Sequence, residues 1–143
     1  MKKTSDKTIL YNLPSYKTGD GRPNLLRIIV TTKFAKIDFG YQTMRKYEEG
    51  GWVRMARETF IRIKPSGEKL TMTEAVNIPY APQRHDFKTR KDWLYFSLYF
   101  PPFPPNTKLF DLIEADPGVH TDTHNDFNFF DIKLNHSEAI EIL

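Results

Sequence analysis

The chain has 143 residues, enough for one domain with a real hydrophobic core, and its 21 Lys and Arg against 18 Asp and Glu leave a formal charge of only +3. So small an excess argues against a dedicated nucleic-acid binder, whose cations usually concentrate in a stripe. There is no cysteine, which excludes disulfides, thiolate metal sites and thiol nucleophiles.

The opening residues, Met1-Lys2-Lys3-Thr4-Ser5-Asp6-Lys7, are charged and lead into no apolar stretch of the signal-peptide kind. No apolar run is long enough to span a membrane. As written, the chain reads as a soluble cytoplasmic protein; removal of a leader would make it periplasmic or a lipoprotein.

In chain order, short apolar or β-branched runs are cut by Gly, Pro and Asn, the pattern of strands and turns. Residues 8–12 read as a first strand, and 15–24, with Gly19, Gly21 and Pro23, as a loop. Residues 25–32 (LLRIIVTT) are strongly β, with Leu26, Ile28 and Val30 on one face. Over 34–41, Ala35, Ile37, Phe39 and Tyr41 alternate with Lys36 and Asp38, which predicts one buried and one solvated face. Glu48-Glu49-Gly50-Gly51 makes a turn. Residues 52–55 and 59–63 read as two strands, or one strand with a break. Pro65-Ser66-Gly67-Glu68 is a tight turn in which Gly67 is free to take positive φ. A strand over 69–75 follows, although Glu74-Ala75 also suits a helix.

Residues 78–92 form a long loop with Pro79 and Pro82. Residues 93–100 (WLYFSLYF) are the strongest strand, with Leu94, Phe96, Leu98 and Phe100 on one face and Trp93, Tyr95, Ser97 and Tyr99 on the other. Pro101-Pro102-Phe103-Pro104-Pro105 must end it, because proline cannot donate to a ladder, and should run on as a stiff, extended connection. The last strands fall at 107–113 and 127–134. Asn135 or Ser137 caps a short helical turn over 138–143, a frayed tail being the alternative. Short strands with almost no helix predict an all-β fold, a two-sheet sandwich with a small barrel as its competitor. One domain covers 1–143, with its core over about 25–134 and flexible ends at 1–7 and 136–143.

Four stretches carry a family resemblance. They are Gly51-Trp52-Val53-Arg54; Glu74-Ala75-Val76-Asn77-Ile78-Pro79 with Ala81-Pro82; the run from Tyr95 through Phe100-Pro101-Pro102-Phe103-Pro104-Pro105-Asn106-Thr107-Lys108 to Glu114; and Phe130-Asp131-Ile132-Lys133-Leu134. Together, over about 25–134, they resemble a small immunoglobulin-like domain of unknown function common in Bacteroidetes proteins. The Phe-Pro-Pro-x-Pro-x-x-Thr-Lys stretch is its most specific part. The resemblance implies an immunoglobulin-like antiparallel sandwich of about seven to nine strands, often placed before a thioredoxin-like or other domain. It brings no catalytic residues, and without cysteine this chain cannot itself do thiol redox chemistry.

Three constellations carry candidate chemistry. In His120-Thr121-Asp122-Thr123-His124-Asn125-Asp126, an extended backbone would point His120, Asp122, His124 and Asp126 to one face, and imidazole with carboxylate suits a divalent metal. Alternate side chains step about 6.5–7 Å, so only two or three could converge on one ion. A solvated surface loop after Pro117-Gly118 explains the same polarity. Arg84, Lys88, Arg90 and Lys91, beside Trp93 and Tyr95, offer cations for phosphate and rings for stacking, although Asp86 and Asp92 interrupt them. The plainer reading is a charged loop that guards a sheet edge. Trp93, Tyr95 and Tyr99, with Phe103 beyond them, offer amphipathic rings to a sugar or a partner protein. Large aromatics are mostly buried, so a neighbouring strand, the N-terminal segment or a second copy is expected to cover Trp93.

No serine sits in a Gly-x-Ser-x-Gly setting, no Gly-rich phosphate loop occurs, and the acids at Glu48-Glu49 and at Asp111 and Glu114 read as solvated turn charges. The sequence therefore points to a non-catalytic module with no cofactor, acting through a protein partner or self-association. A divalent-metal-binding protein or metal-dependent enzyme using the loop 120–126 and a weak nucleic-acid binder using the stretch 84–91 are the alternatives.

Overall fold

The protein is described by a computed structural model over residues 7–18, 24–42, 52–89, 91–114 and 128–142. Its strands are β1 (Thr8–Asn12), β2 (Lys17–Thr18), β3 (Asn24–Val30), β4 (Ala35–Tyr41), β5 (Trp52–Val53), β6 (Phe60–Lys64), β7 (Lys69–Thr71), β8 (Glu74–Val76), β9 (His85–Asp86), β10 (Leu94–Phe100), β11 (Leu109–Ile113), β12 (Phe129–Lys133) and β13 (Ile140–Ile142). A six-stranded sheet has the order β13-β1-β3-β4-β10-β8, and a five-stranded sheet the order β2-β12-β11-β6-β7. All their pairings are antiparallel. The fold is an all-β sandwich. Among the described residues no helix is long and apolar enough to cross a membrane.

Alternation builds the core. Ile37 and Phe39 of β4 and Phe96, Leu98 and Phe100 of β10 face Ile61, Phe110, Leu112, Phe129 and Ile132 of the smaller sheet in one continuous cluster. The rings of Phe39 and Phe129 meet across the two layers with centroids 5.4 Å apart. Burying a side chain of this size is worth roughly 1.5–3 kcal/mol, so these facing positions hold the layers together. The short pair β5–β9 and the bridge between Met55 and Tyr80 add Val53, Met55 and Phe87 to the same cluster.

The prolines after β10 carry the chain from the larger sheet into β11 of the smaller one. The turn closes with the Thr107 hydroxyl donating to the Pro104 carbonyl at 2.7 Å. Gly67 takes φ +80° in the turn between β6 and β7, as its sequence predicts.

Five elements depart from the sequence expectation. Within 15–24, expected to be a loop, Lys17–Thr18 forms β2 and pairs with β12 at the edge of the smaller sheet. In β3 the register slips between Leu25 and Arg27, so Leu25 pairs with Phe39 on the core side and Leu26 is only half-buried. Strict alternation had placed Leu26 with Ile28 and Val30; the bulge resets the face. Residues 69–75 make two strands in two sheets. The Met72 amide donates to Thr59 and the next amide, Thr73, donates to Tyr99 on the other layer. Within 78–92, β9 pairs with β5, so the stretch is not wholly loop. At the C-terminus, Asn135 does cap a helical turn, of 3-10 form over His136–Glu138, by accepting from the Ser137 amide. The chain then forms β13, which pairs with β1 instead of fraying.

Candidate functional site

The outer face of the six-stranded sheet holds a broad open cleft of about 520 Å³ that crosses β1, β3, β4 and β10. The same alternation that sends Phe39 and Phe96 inward leaves Asp38, Tyr95 and Ser97 on this face. The bulge in β3 adds Leu26 and Arg27.

Asp38 is the fixed point of the cleft. Sequence alternation placed it on a solvated face, yet its side chain is only 11% exposed. Ser97 Oγ donates to Oδ1 at 2.6 Å, Arg27 Nε donates to Oδ2 at 2.5 Å, and Lys36 Nζ stands 3.5 Å from Oδ1. Burial pushes its pKa up, but the hydrogen bonds from Ser97 and Arg27 and the charges of Lys36 and Arg27 outweigh that and hold it below the usual carboxylate value. A buried charge survives only when paired in this way. Arg27 is half exposed and uses Nε here. Among the described residues, no partner engages its two terminal nitrogens.

The aromatic rim is open. Trp93 is 45% exposed and Tyr95 59%, and their rings are parallel to within 9° at 5.9 Å between centroids. The covering expected for Trp93 is therefore absent among the described residues. Gly40 explains the pose of Tyr95: a Cβ there would lie 3.1 Å from the Tyr95 ring, which leans across β4 because glycine leaves the space. Opposite, Leu13 is 69% exposed and holds φ +47°, a backbone region that costs a non-glycine residue about 1 kcal/mol or more.

The other aromatic candidates are placed differently. Tyr99 is half-buried, edge-on to Phe34 at 5.4 Å, with Lys36 over its ring. Phe103 turns into the core against Phe110 at 5.0 Å, so it is a packing residue and not part of the open rim.

Among the described residues, the basic stretch does not assemble as one patch. Arg84 pairs with Asp86 at 3.1 Å, Lys88 is exposed, and the Lys91 carbonyl accepts from Gln42 at 2.6 Å. Asp92 accepts from the Thr89 amide and hydroxyl, which lowers its pKa and closes the turn before Trp93. Arg90 lies outside the described residues, as do His120, Asp122, His124 and Asp126. Among the described residues, no three His, Asp or Glu side chains gather as a metal site.

Two further acids, read from sequence as solvated, are buried. Asp111 accepts from the Asp131 amide at 2.8 Å, at the bulge where β11 and β12 lose register, and meets Lys64 at 3.1 Å. Lys64 also reaches Asp131 at 2.6 Å, and these two acids raise its pKa. Glu114 accepts from the Ala56 amide at 3.0 Å. Both buried acids replace backbone partners that irregular strands lack.

No family model, curated protein or solved structure matches the chain. The cleft on the larger sheet is therefore read from its own residues. Arg27, Lys36, Asp38 and Ser97 drew no attention as a site in the sequence. The available signal was the pair Lys36 and Asp38 inside an apolar alternation, with Ser97 in the middle of an aromatic strand.

Proposed function

We propose that this protein is a non-catalytic binding module that makes its contacts through the outer face of the six-stranded sheet. The observation that carries this reading is the pair of exposed, parallel rings, Trp93 and Tyr95, beside a cleft whose polar groups are already locked in place. Exposed aromatics next to pre-organised polar groups are what a binding surface requires. The buried acids support binding over catalysis, since Asp38, Asp111 and Glu114 each hold a structural donor. The likeness of the Phe100–Lys108 region to a Bacteroidetes domain without known catalytic residues points the same way. A protein partner or a second copy of the chain would meet the same rim, where Leu13 and Val76 are also exposed.

The test is retention of native-host material on immobilised wild-type protein and on a Trp93→Ala/Tyr95→Ala variant with an unchanged circular dichroism spectrum. The variant should lose what the wild type holds. Equal retention by both would remove this face from the function.

A further inference from the structure

We propose that the cleft binds an acidic saccharide chain, with a sugar carboxylate on Arg27 and the adjoining ring against Tyr95 and Trp93. This rests on the outer sheet face being the contact surface and narrows its occupant.

The charged group left open in the cleft is a donor, while the Asn12 amide can both donate and accept. Asp38 accepts on both oxygens, from Arg27 Nε and from Ser97, with the Lys36 ammonium in ion-pair contact at 3.5 Å. Arg27 keeps its two terminal nitrogens, and the Asn12 side chain has no partner among the described residues. With Arg27 and Lys36 against Asp38, the floor carries one net positive charge. The complementary ligand is rich in acceptors and bears a negative group. A guanidinium anchored through Nε presents its remaining N–H groups in the planar fork that matches a carboxylate.

Position selects the ligand class. Arg27 on β3 pairs with Asp38 and Tyr95 on β10 pairs with Gly40, so they lie on either side of β4 and two residues out of step, with backbones about 12 Å apart at ordinary strand spacing and rise. The Tyr95 ring leans back over Gly40 and shortens that span, which a sugar ring with its carboxylate then bridges. The open rings of Tyr95 and Trp93 give an apolar surface for the C–H face of a pyranose. A peptide added as a strand needs a free sheet edge, but the cleft lies over β3, β4 and β10, each paired on both sides. A nucleic-acid strand needs a row of cations along its backbone. Here Arg84, Lys88 and Lys91 do not join the cleft lining, and Asp38 lies within it.

The test is calorimetric titration of the full chain, joined to NMR of the Trp93 and Tyr95 rings. The probes are oligogalacturonide, oligoalginate and hyaluronan fragments, a neutral cello-oligosaccharide, a short single-stranded oligonucleotide and an oligoglutamate peptide. At least one uronate chain should bind saturably and shift both rings. Arg27→Lys, which keeps the charge but loses the fork, should weaken it about tenfold, as loss of a charge-assisted hydrogen bond does. Tyr95→Ala, at an exposed position, should weaken it by a similar factor, and Lys88→Gln should leave it unchanged. Failure of all three uronate chains, or equal affinity for the neutral chain, overturns the inference. If the oligonucleotide, the peptide or a second copy of the chain shifts these rings and the uronates do not, the saccharide assignment falls and the contact face stands. Uronate binding that shifts neither ring overturns both.

Discussion

Leu25 and Leu26 are adjacent and chemically identical, and the bulge in β3 gives them opposite surroundings. Leu25 is 2% exposed against Phe39, whereas Leu26 is half-buried on the cleft side. Leu25→Ala removes a core side chain and leaves a cavity, at a cost of about 3 kcal/mol within the 2–5 kcal/mol usual for such changes. Leu26→Ala loses only part of the transfer term and leaves no cavity, so about 1 kcal/mol is expected. In a chain of this length each kcal/mol moves the Tm by about 3 °C, which gives losses of about 10 °C and about 3 °C. Urea denaturation should show the same order in the midpoints with unchanged slopes. Ligand affinity should respond in reverse, weakening in Leu26→Ala alone. If Leu26→Ala destabilises as much as Leu25→Ala, the bulge is misplaced and simple alternation holds.

Three more outcomes follow from the polar and glycine positions. Asp38 has a lowered pKa, so its stabilisation is complete above the unfolded value of about 3.9 and is lost as pH falls through the folded value. Asp38→Asn should therefore be less stable than wild type at pH 7, by about 1–2 kcal/mol after discounting for the exposure of Arg27; the gap should close in acid denaturation series, and a constant gap would refute the assignment. Lys64 has a raised pKa, so its contribution is present below about pH 10.4 and disappears as pH rises through the folded value. Melting curves of Lys64→Met should lack that alkaline loss, and an identical loss in both proteins would count against the Lys64–Asp111–Asp131 cluster. Gly40→Ala places a methyl 3.1 Å from the Tyr95 ring, so the ring must shift while stability stays within about 1 kcal/mol, because leaving glycine also favours the strand. Unchanged Tyr95 ring resonances would contradict the close approach.

The long strands were legible because burial on one face imposes a period of two. Ala35 through Tyr41 and Leu94 through Phe100 follow it without a break, and both form the strands their pattern predicts. Thirteen strands form among the described residues, more than the seven to nine expected, because β2, β5, β7, β8, β9 and β13 are only two or three residues long and too short to show a period. The prolines after Phe100 end a strand because they lack the amide that a ladder needs. Pattern alone fixed the all-β class and the inner faces of β4 and β10.

What pattern could not carry was position relative to distant chain. The bulge that exchanges Leu25 for Leu26 is a local slip against β4, and no single residue announces it. The split at Met72 and Thr73 depends on two layers pulling adjacent amides to Thr59 and Tyr99. Asp38 looks like an ordinary solvated residue until Ser97 and Arg27, 59 and 11 residues away, close over it. Trp93 looks like a core residue, and only the order of the sheets leaves it open beside Tyr95. Composition and alternation decide which residues seek burial; the pairing of strands far apart in sequence decides which find it, and so places the cleft.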